Sequence, residues 1–317
     1  MKILLTGATG FIGSNFARLA ISRGHEVTAL VRSGRTLPAD LKVKPLSGEL
    51  ESISTKELTA VRADVCVHSA WITTPGVYLE SPENFKFRDD SLQFLRRVAE
   101  AGTKQIVGLG TCIEYQITGP HCEPARPLTP TLSPDGGEGV RTLSEENTPI
   151  APTTTYAKCK NELRVAMEAE AQKSGFTFAW GRVFYPYGPG EHPSRLCSSI
   201  IAKLGRGERM VLKTPQSTKD YIYIEDLAAA LLAVVEKKFS GAINLGTGTG
   251  TTVREIARTI GKLMGREELV GEADPPEADP LGDVVADAMK LNSLGWEQKT
   301  ILEQGIQELL MGRGHNS

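Results

Sequence analysis

Lys2-Ile3-Leu4-Leu5-Thr6-Gly7-Ala8-Thr9-Gly10-Phe11-Ile12-Gly13 decides how the rest of the chain is read. Lys2 to Leu5 is a short apolar run of strand length. From Phe11 to Ser22 the apolar residues recur with a helical period, so the order is strand, tight turn, helix. Three glycines stand in the turn. Gly7 allows the tight reversal, Gly10 lets the backbone approach a pyrophosphate closely, and Gly13 lets the helix pack close to the strand. A helix N-terminus formed by Thr9, Gly10, Phe11, Ile12 and Gly13 presents unpaired N–H groups and partial positive charge to phosphates. An ordinary glycine-rich β-α turn is the alternative, and the strand before and helix after weigh against it.

Outward from this turn the same alternation continues. Gly24 stops the helix and His25 to Val31 gives a second strand, completing a parallel βαβ unit. Strand patterns at Val65 to His68, Gln105 to Leu109 and Phe176 to Trp180 alternate with helical patterns at Ser91 to Ala101 and Tyr156 to Lys173. The expected fold class is α/β, a Rossmann-like doubly wound parallel sheet. Beyond Arg182 helices are expected at Leu196 to Leu204, Ile224 to Lys237, Val253 to Met264 and Ile301 to Leu310, with strands at Met210 to Leu212 and Ala242 to Leu245. The division expected is a dinucleotide-binding domain over residues 1–181, with about 214–248 contributing to it, and a smaller α/β substrate lobe over 182–317. Residues 123–147, dense in Pro, Gly, Thr and Ser and without periodicity, read as an acquired surface insertion.

Composition narrows the function. The chain has 317 residues, 36 Lys and Arg against 38 Asp and Glu, and a formal net charge of -2, so nothing draws it to nucleic acid. With 40% hydrophobic and 23% charged residues it supplies a large core. No apolar run approaches the ~18 residues of a membrane span, and the opening residues carry no leader pattern. The 5 cysteines are odd in number and lack C-x-x-C spacing, which suggests neither a disulfide framework nor a metal site. A soluble, cytoplasmic protein without membrane or nucleic-acid partners is expected.

The spacing G-x-x-G-x-x-G in Thr6-Gly7-Ala8-Thr9-Gly10-Phe11-Ile12-Gly13 resembles the extended short-chain dehydrogenase/reductase family of sugar-nucleotide epimerases, dehydratases and ketoreductases. Later landmarks agree in order: His68-Ser69-Ala70, Gly110-Thr111-Cys112-Ile113-Glu114-Tyr115, Tyr156-x-x-x-Lys160, Tyr187-Gly188-Pro189-Gly190, Lys219-Asp220-Tyr221 and Asn244-Leu245-Gly246. The resemblance covers nearly the whole chain. It implies that Ser69 and Ala70 lie at the cofactor, and that Glu49 and Leu50 stand where relatives have an Asp and an apolar residue beside the adenine.

The second strand ends in Val31-Arg32-Ser33, with Arg35 close behind and no acid to accept from a ribose 2′-hydroxyl. Arginines in this place suit a 2′-phosphate, so NADP is favoured over NAD; solvated loop charges are the alternative.

Tyr156 and Lys160 lie four apart at the start of a helix and project from one face. Bringing a phenol from its usual pKa near 10 to neutrality takes about 4 kcal/mol, and a nearby ammonium with an oxidised nicotinamide acts in that direction. Y-x-x-x-K alone is a common coincidence; following the glycine turn and Gly110-Thr111 it carries weight. By resemblance Lys160 also holds the nicotinamide ribose, and Thr111 hydrogen-bonds the reacting sugar oxygen.

Cys112 and Ile113 occupy the positions where dehydrating relatives carry an Asp-Glu pair, which argues against elimination of water. Glu114 is expected as a partial substitute, or as a strand-end residue facing solvent. Arg195 and Lys219 match cations that meet the substrate diphosphate in relatives. Tyr185 replaces a frequent substrate-binding Asn. Trp71, Thr73 and Thr74 line the sugar pocket in this reading, with core packing the alternative for Trp71.

The function implied is an NAD(P)-dependent oxidoreductase acting on a nucleotide-activated sugar as a 4-keto-sugar reductase, with Tyr156 as acid/base. The alternatives are an NAD-dependent 4-epimerase and, in another class, a non-catalytic NADP-binding redox sensor. Relatives form homodimers, and the same is expected here.

Overall fold

In the computed structural model, which describes residues 1–117 and 142–312, seven parallel strands form the central sheet. They are β1 (Lys2–Thr6), β2 (Glu26–Val31), β3 (Lys44–Ser47), β4 (Val65–His68), β5 (Gln105–Thr111), β6 (Thr177–Val183) and β7 (Gly241–Leu245). Their spatial order is β3-β2-β1-β4-β5-β6-β7. The winding direction reverses between β1 and β4, the switch point where open α/β sheets bind ligands. The doubly wound sheet expected from the sequence is the one observed.

Strand composition follows position. β4 and β5 are buried along their whole length and read as nearly continuous apolar runs, as central parallel strands must. β3, at the edge, is exposed apart from the partly buried Leu46 and carries Pro45, which an edge tolerates. Side chains alternate across the sheet: Ile3 and Leu5 of β1 point into one core, Leu4 into the other. The first core holds α1 (Phe11–Ser22) and, from the later chain, α6 (Ile224–Glu236), which packs on α1. The second holds α2 (Thr55–Val61), α3 (Glu83–Glu100) and α4 (Thr155–Ser174).

The remaining chain forms α5 (Leu196–Gly205), α7 (Val253–Leu263), α8 (Met289–Ser293) and α9 (Leu302–Gly312) with short two-stranded pairings. Leu204, Ile256 and Ile306 share one continuous core with Ile3 and Leu5, so this part is packed onto the sheet's α1 face.

Two sequence expectations change. α3 begins at Glu83, eight residues before Ser91, because its first two turns expose a polar face that hides the period. Of the expected loop over 123–147, residues up to 141 lie outside the described residues, but the end of it is held. Thr142–Leu143 pairs with Val285–Ala286, and the Glu145 carboxylate accepts from the Asn244 N–H at 2.6 Å. Among the described residues no helix is long and apolar enough to cross a membrane.

Candidate active site

β1 and β4 end in register, Thr6 opposite His68, so the glycine turn and Ser69 meet at the switch point. The Ser69 hydroxyl donates to Thr6 O at 2.7 Å and the Ala70 N–H to Thr6 Oγ1 at 3.2 Å. Gly7 sits at φ +77, and a Cβ there would come within 2.6 Å of Ser69 Oγ and 2.8 Å of Ala70 N. A Cβ on Gly13 would run into Gly7 O. At Gly10 the only near neighbour is Gly7 O at 3.3 Å. That side of the turn is therefore open for a ligand. Gly10 is the N-cap of α1, no side chain caps the helix, and its first turn carries no acid. An open groove of about 430 Å³ runs past Thr9, Gly10, Phe11 and Asn15 to Pro189 and Gly190. These residues fit a dinucleotide pyrophosphate, whose charge the bare helix end would meet.

At the end of β2, Arg32, Ser33 and Arg35 are exposed, and neither arginine forms an ion pair among the described residues. Glu49 reaches across from the end of β3, its Oε1 accepting from the Ser33 N–H at 3.0 Å. The sequence shows no acid at the end of β2; the sheet brings one there. Leu50 departs from expectation: it is 6% exposed and belongs to the core with Leu30 and Ile53, so it turns inward rather than toward a base.

Thr111, at the end of β5, is 9% exposed and caps the turn Cys112–Glu114, its Oγ1 accepting from the Ile113 N–H at 3.5 Å. α4 packs against that turn and brings Tyr156 and Lys160 to it. The Lys160 ammonium donates to Leu109 O at 2.7 Å and lies 5.8 Å from the centre of the Tyr156 ring. The Tyr156 ring meets Tyr78 edge-on at 4.9 Å. Its hydroxyl has no hydrogen-bond partner among the described residues although the residue is only 8% exposed.

The protein's own groups hold the Tyr156 phenol above the usual tyrosine range, contrary to the expectation of a lowered value. Burial is the main cause, with Tyr78, Glu114 and Cys112 adding to it and Arg195 opposing. Burial also pushes Lys160 down to about 7 against the Glu114 charge. An amine this poorly solvated does not by itself draw out the phenol proton; the positive charge of an oxidised nicotinamide acts in the required direction.

Three substrate assignments need correction or refinement. Glu114 faces neither solvent nor the sugar pocket. Its carboxylate, 0% exposed, accepts from the Thr111 N–H at 2.9 Å, from Trp180 Nε1 at 3.1 Å and from Arg182 Nε at 3.0 Å. Lys219 is not a free cation either: its Nζ lies 2.7 Å from Asp279 Oδ2 and also donates to Gly282 O. Trp71 is half-buried, with Nε1 donating to Asn84 Oδ1 at 2.8 Å and its face toward Lys160.

Arg195, half-buried at the start of α5, forms no ion pair among the described residues and acts electrostatically on Tyr78 and Tyr156. Tyr185 is half-buried and tilted against Tyr221 at 5.7 Å, with Cys112, Asp279 and Tyr78 in its surroundings. The Cys112 thiol is pushed up to about 12, chiefly by burial, and is no nucleophile as it stands. Thr73 and Thr74 are exposed.

Sequence reasoning missed Tyr78 and Asp279. Tyr78 lies in an irregular stretch with no pattern to flag it, and Asp279 in an acidic segment that only tertiary contact relates to Lys219. Asp220, within a landmark motif, proves to hold the loop after β7: it accepts from the Thr247 N–H and Gly248 N–H, each at 2.9 Å, and from the Ala286 N–H at 3.2 Å. His68 is likewise structural, bonded to Thr6 Oγ1 and Ser91 Oγ, each at 2.9 Å.

Comparison with known proteins agrees with this architecture. The chain is 24% identical over 318 residues to UDP-glucuronic acid decarboxylase 1 of Xenopus tropicalis, covering 98% of this chain and 71% of the relative. It is 25% identical to the UDP-glucose 4-epimerase of Bacillus subtilis, covering 96% of this chain and 94% of the relative. Among solved structures, the Thermotoga maritima UDP-glucose 4-epimerase with UDP-glucose superposes with a TM-score of 0.80 at 20% identity, covering 100% of this chain and 99% of that one. The Thermus thermophilus UDP-glucose 4-epimerase complex with NAD gives 0.76 at 23%, covering 99% of each chain. At such identities the structures establish the fold. The sequence profile of one family matches residues 3–246, taking in the glycine turn, the end of β5 and the Tyr156/Lys160 pair, and by that match the chain belongs to the NAD dependent epimerase/dehydratase family.

Proposed function

We propose that the protein is an NAD(P)-dependent oxidoreductase that reduces the 4-keto group of a nucleotide-activated sugar. The observation that carries this reading is the Tyr156 hydroxyl, which no described residue binds, on a residue only 8% exposed at the switch-point end of the sheet, with Lys160 Nζ 5.8 Å from its ring centre and the turn capped by Thr111 packed against the same helix. A bound nicotinamide supplies the hydride. The chain supplies position and a proton: Tyr156 donates from its hydroxyl to the carbonyl oxygen, Thr111 Oγ1 hydrogen-bonds that oxygen, and Lys160 holds the cofactor ribose.

Elimination of water is disfavoured, because Cys112 and Ile113 offer no carboxylate pair and Glu114 is fully engaged by Thr111, Trp180 and Arg182. The relatives named for UDP-sugars support a nucleotide sugar as substrate. NADP is the cofactor we favour, since the two exposed guanidinium groups of Arg32 and Arg35 outweigh the single carboxylate of Glu49 at that edge. A 4-epimerase that retains NAD is the second reading, favoured by the 25% identical epimerase of B. subtilis.

A panel of nucleotide sugars and their 4-keto forms separates these. Net NADPH oxidation with a 4-keto substrate supports the reductase, and interconversion without added cofactor supports the epimerase. Tyr156→Phe should lower turnover by about 100-fold or more in either case. Unchanged turnover in that variant sinks both.

A further inference from the structure

The indole of Trp71 lies over the Lys160 ammonium, Nζ standing 4.0 Å from the ring centroid. The ring is fixed from behind. Its Nε1–H donates to Asn84 Oδ1 at 2.8 Å, and the amide nitrogen of Asn84, a residue at 0% exposure, donates to the carbonyls of Tyr78 at 2.7 Å and Ser81 at 2.9 Å. Phe87 backs the indole at 6.0 Å, and Tyr156 meets it edge-on at 6.4 Å.

An ammonium has three protons to place. Lys160 has one hydrogen-bond acceptor among the described residues, Leu109 O at 2.7 Å, and aromatic faces elsewhere: Trp71 closest, then Tyr156 at 5.8 Å and Trp180 at 6.0 Å. A tryptophan face attracts a cation more strongly than other aromatic rings, and most strongly where water is excluded.

We propose that Trp71 is a positioning residue for Lys160, its indole face keeping the ammonium charged and seated at Leu109 O beside the Tyr156 ring. The proposal rests on the reading of Lys160 as the amine that serves Tyr156. The groups facing Lys160 leave its charge finely balanced. Glu114, from the turn after β5, favours the charged form, while burial opposes it. His68, on β4, is held neutral by burial, its pKa near 3. Tyr156, on the same helix, is a neutral phenol, and Trp180 is uncharged.

The test uses the full chain with 13Cε-labelled lysine, the Lys160 signal being identified by its absence in Lys160→Met. In the unmutated protein the ε-methylene resonance should be displaced upfield by the ring current of Trp71. The displacement should vanish in Trp71→Leu and persist in Trp71→Phe. Titrated against pH, Lys160 in Trp71→Leu should lose its proton about 0.5–1 pH unit lower, a roughly three- to tenfold loss of proton affinity, with Trp71→Phe close to the unmutated protein. An undisplaced resonance in the unmutated protein overturns the proposal, and it stays decisive even where Trp71→Leu does not fold. An unchanged titration in a folded Trp71→Leu overturns it equally. Turnover of Tyr156→Phe is measured alongside: if it is retained, the functional reading fails, while the lysine spectra still decide the contact.

Discussion

The Arg182 guanidinium and the Glu114 carboxylate lie 3.0 Å apart with side-chain exposures of 2% and 0%. Arg182 also donates to the Tyr115 hydroxyl at 3.0 Å, and that hydroxyl donates to Asn244 Oδ1 at 2.7 Å. A continuous polar network thus runs from the Thr111 N–H through the sheet to β7. Breaking a buried pair leaves an uncompensated charge, so Glu114→Ala should destabilise the fold by about 3–5 kcal/mol. Replacing both partners by apolar residues should recover part of this, and only part, because Trp180 and Thr111 still lack their acceptor. Urea unfolding of the single and double variants decides it; a Glu114→Ala protein as stable as the parent contradicts the structural role given to this carboxylate.

Asp279 occupies Lys219. Burial raises the Asp279 carboxyl, but hydrogen bonds from Lys219 and Ser217 hold it below the usual range, so Asp279 is ionised at neutral pH beside Lys219. Of the two cations proposed for a substrate diphosphate, Arg195 is then the one without an ion pair among the described residues. Asp279→Asn should free Lys219 and tighten UDP binding about fivefold, roughly 1 kcal/mol, whereas Lys219→Met should leave it nearly unchanged. Calorimetric titration with UDP reads both, and a large loss of affinity in Lys219→Met would return Lys219 to the phosphate site.

Gly10 is the position at which folding and the proposed cofactor site can be tested separately. A Cβ there meets only Gly7 O at 3.3 Å, and φ is -94, which alanine adopts freely. Gly10→Ala should therefore stay within about 1 kcal/mol of parental stability. Its methyl should nonetheless stand off the pyrophosphate, weakening dinucleotide affinity about tenfold or more. Equal affinity in the two proteins, by fluorescence titration with NADPH and NADH, would place the cofactor elsewhere.

Stability should rise with pH in two windows, the upper one closing at about pH 8.5, where the thiols and phenols whose pKa burial raises begin to act in the opposite direction. Lys160 has its folded pKa lowered to about 7 from a model-compound 10.5, so between these values the unfolded chain binds more protons. Its burial penalty is present in full below about pH 7 and is relieved as pH rises toward 10.5. His68 titrates at about 3 when folded against 6.5 unfolded, so stability is lost as pH falls from 6.5 toward 3. Urea midpoints of Lys160→Met should lack the upper slope while keeping the lower one. A persisting upper slope assigns it to another group.

Much of the architecture was legible in one dimension because its signals are local. The α1 limits at Phe11 and Ser22 follow from the apolar period and the flanking glycines, and β1 from an unbroken apolar run. α3 was read short because a helix whose first turns face water carries no period there. Tyr156 and Lys160 were legible because a helix puts residues four apart on one face.

Which groups those residues meet was not legible. The sequence by itself determined the strand-turn-helix order, the uncapped helix N-terminus and the phenol-amine pair on one helix face, since each depends on neighbours within a few residues. Only the tertiary structure decided that Glu114 is buried against Arg182, that Asp279 takes up Lys219, that Glu49 reaches Ser33 and that Trp71 covers Lys160. Those contacts join residues 16 to 89 positions apart, and charge or packing energy depends on distance in space and on exclusion of water, which spacing along the chain does not encode.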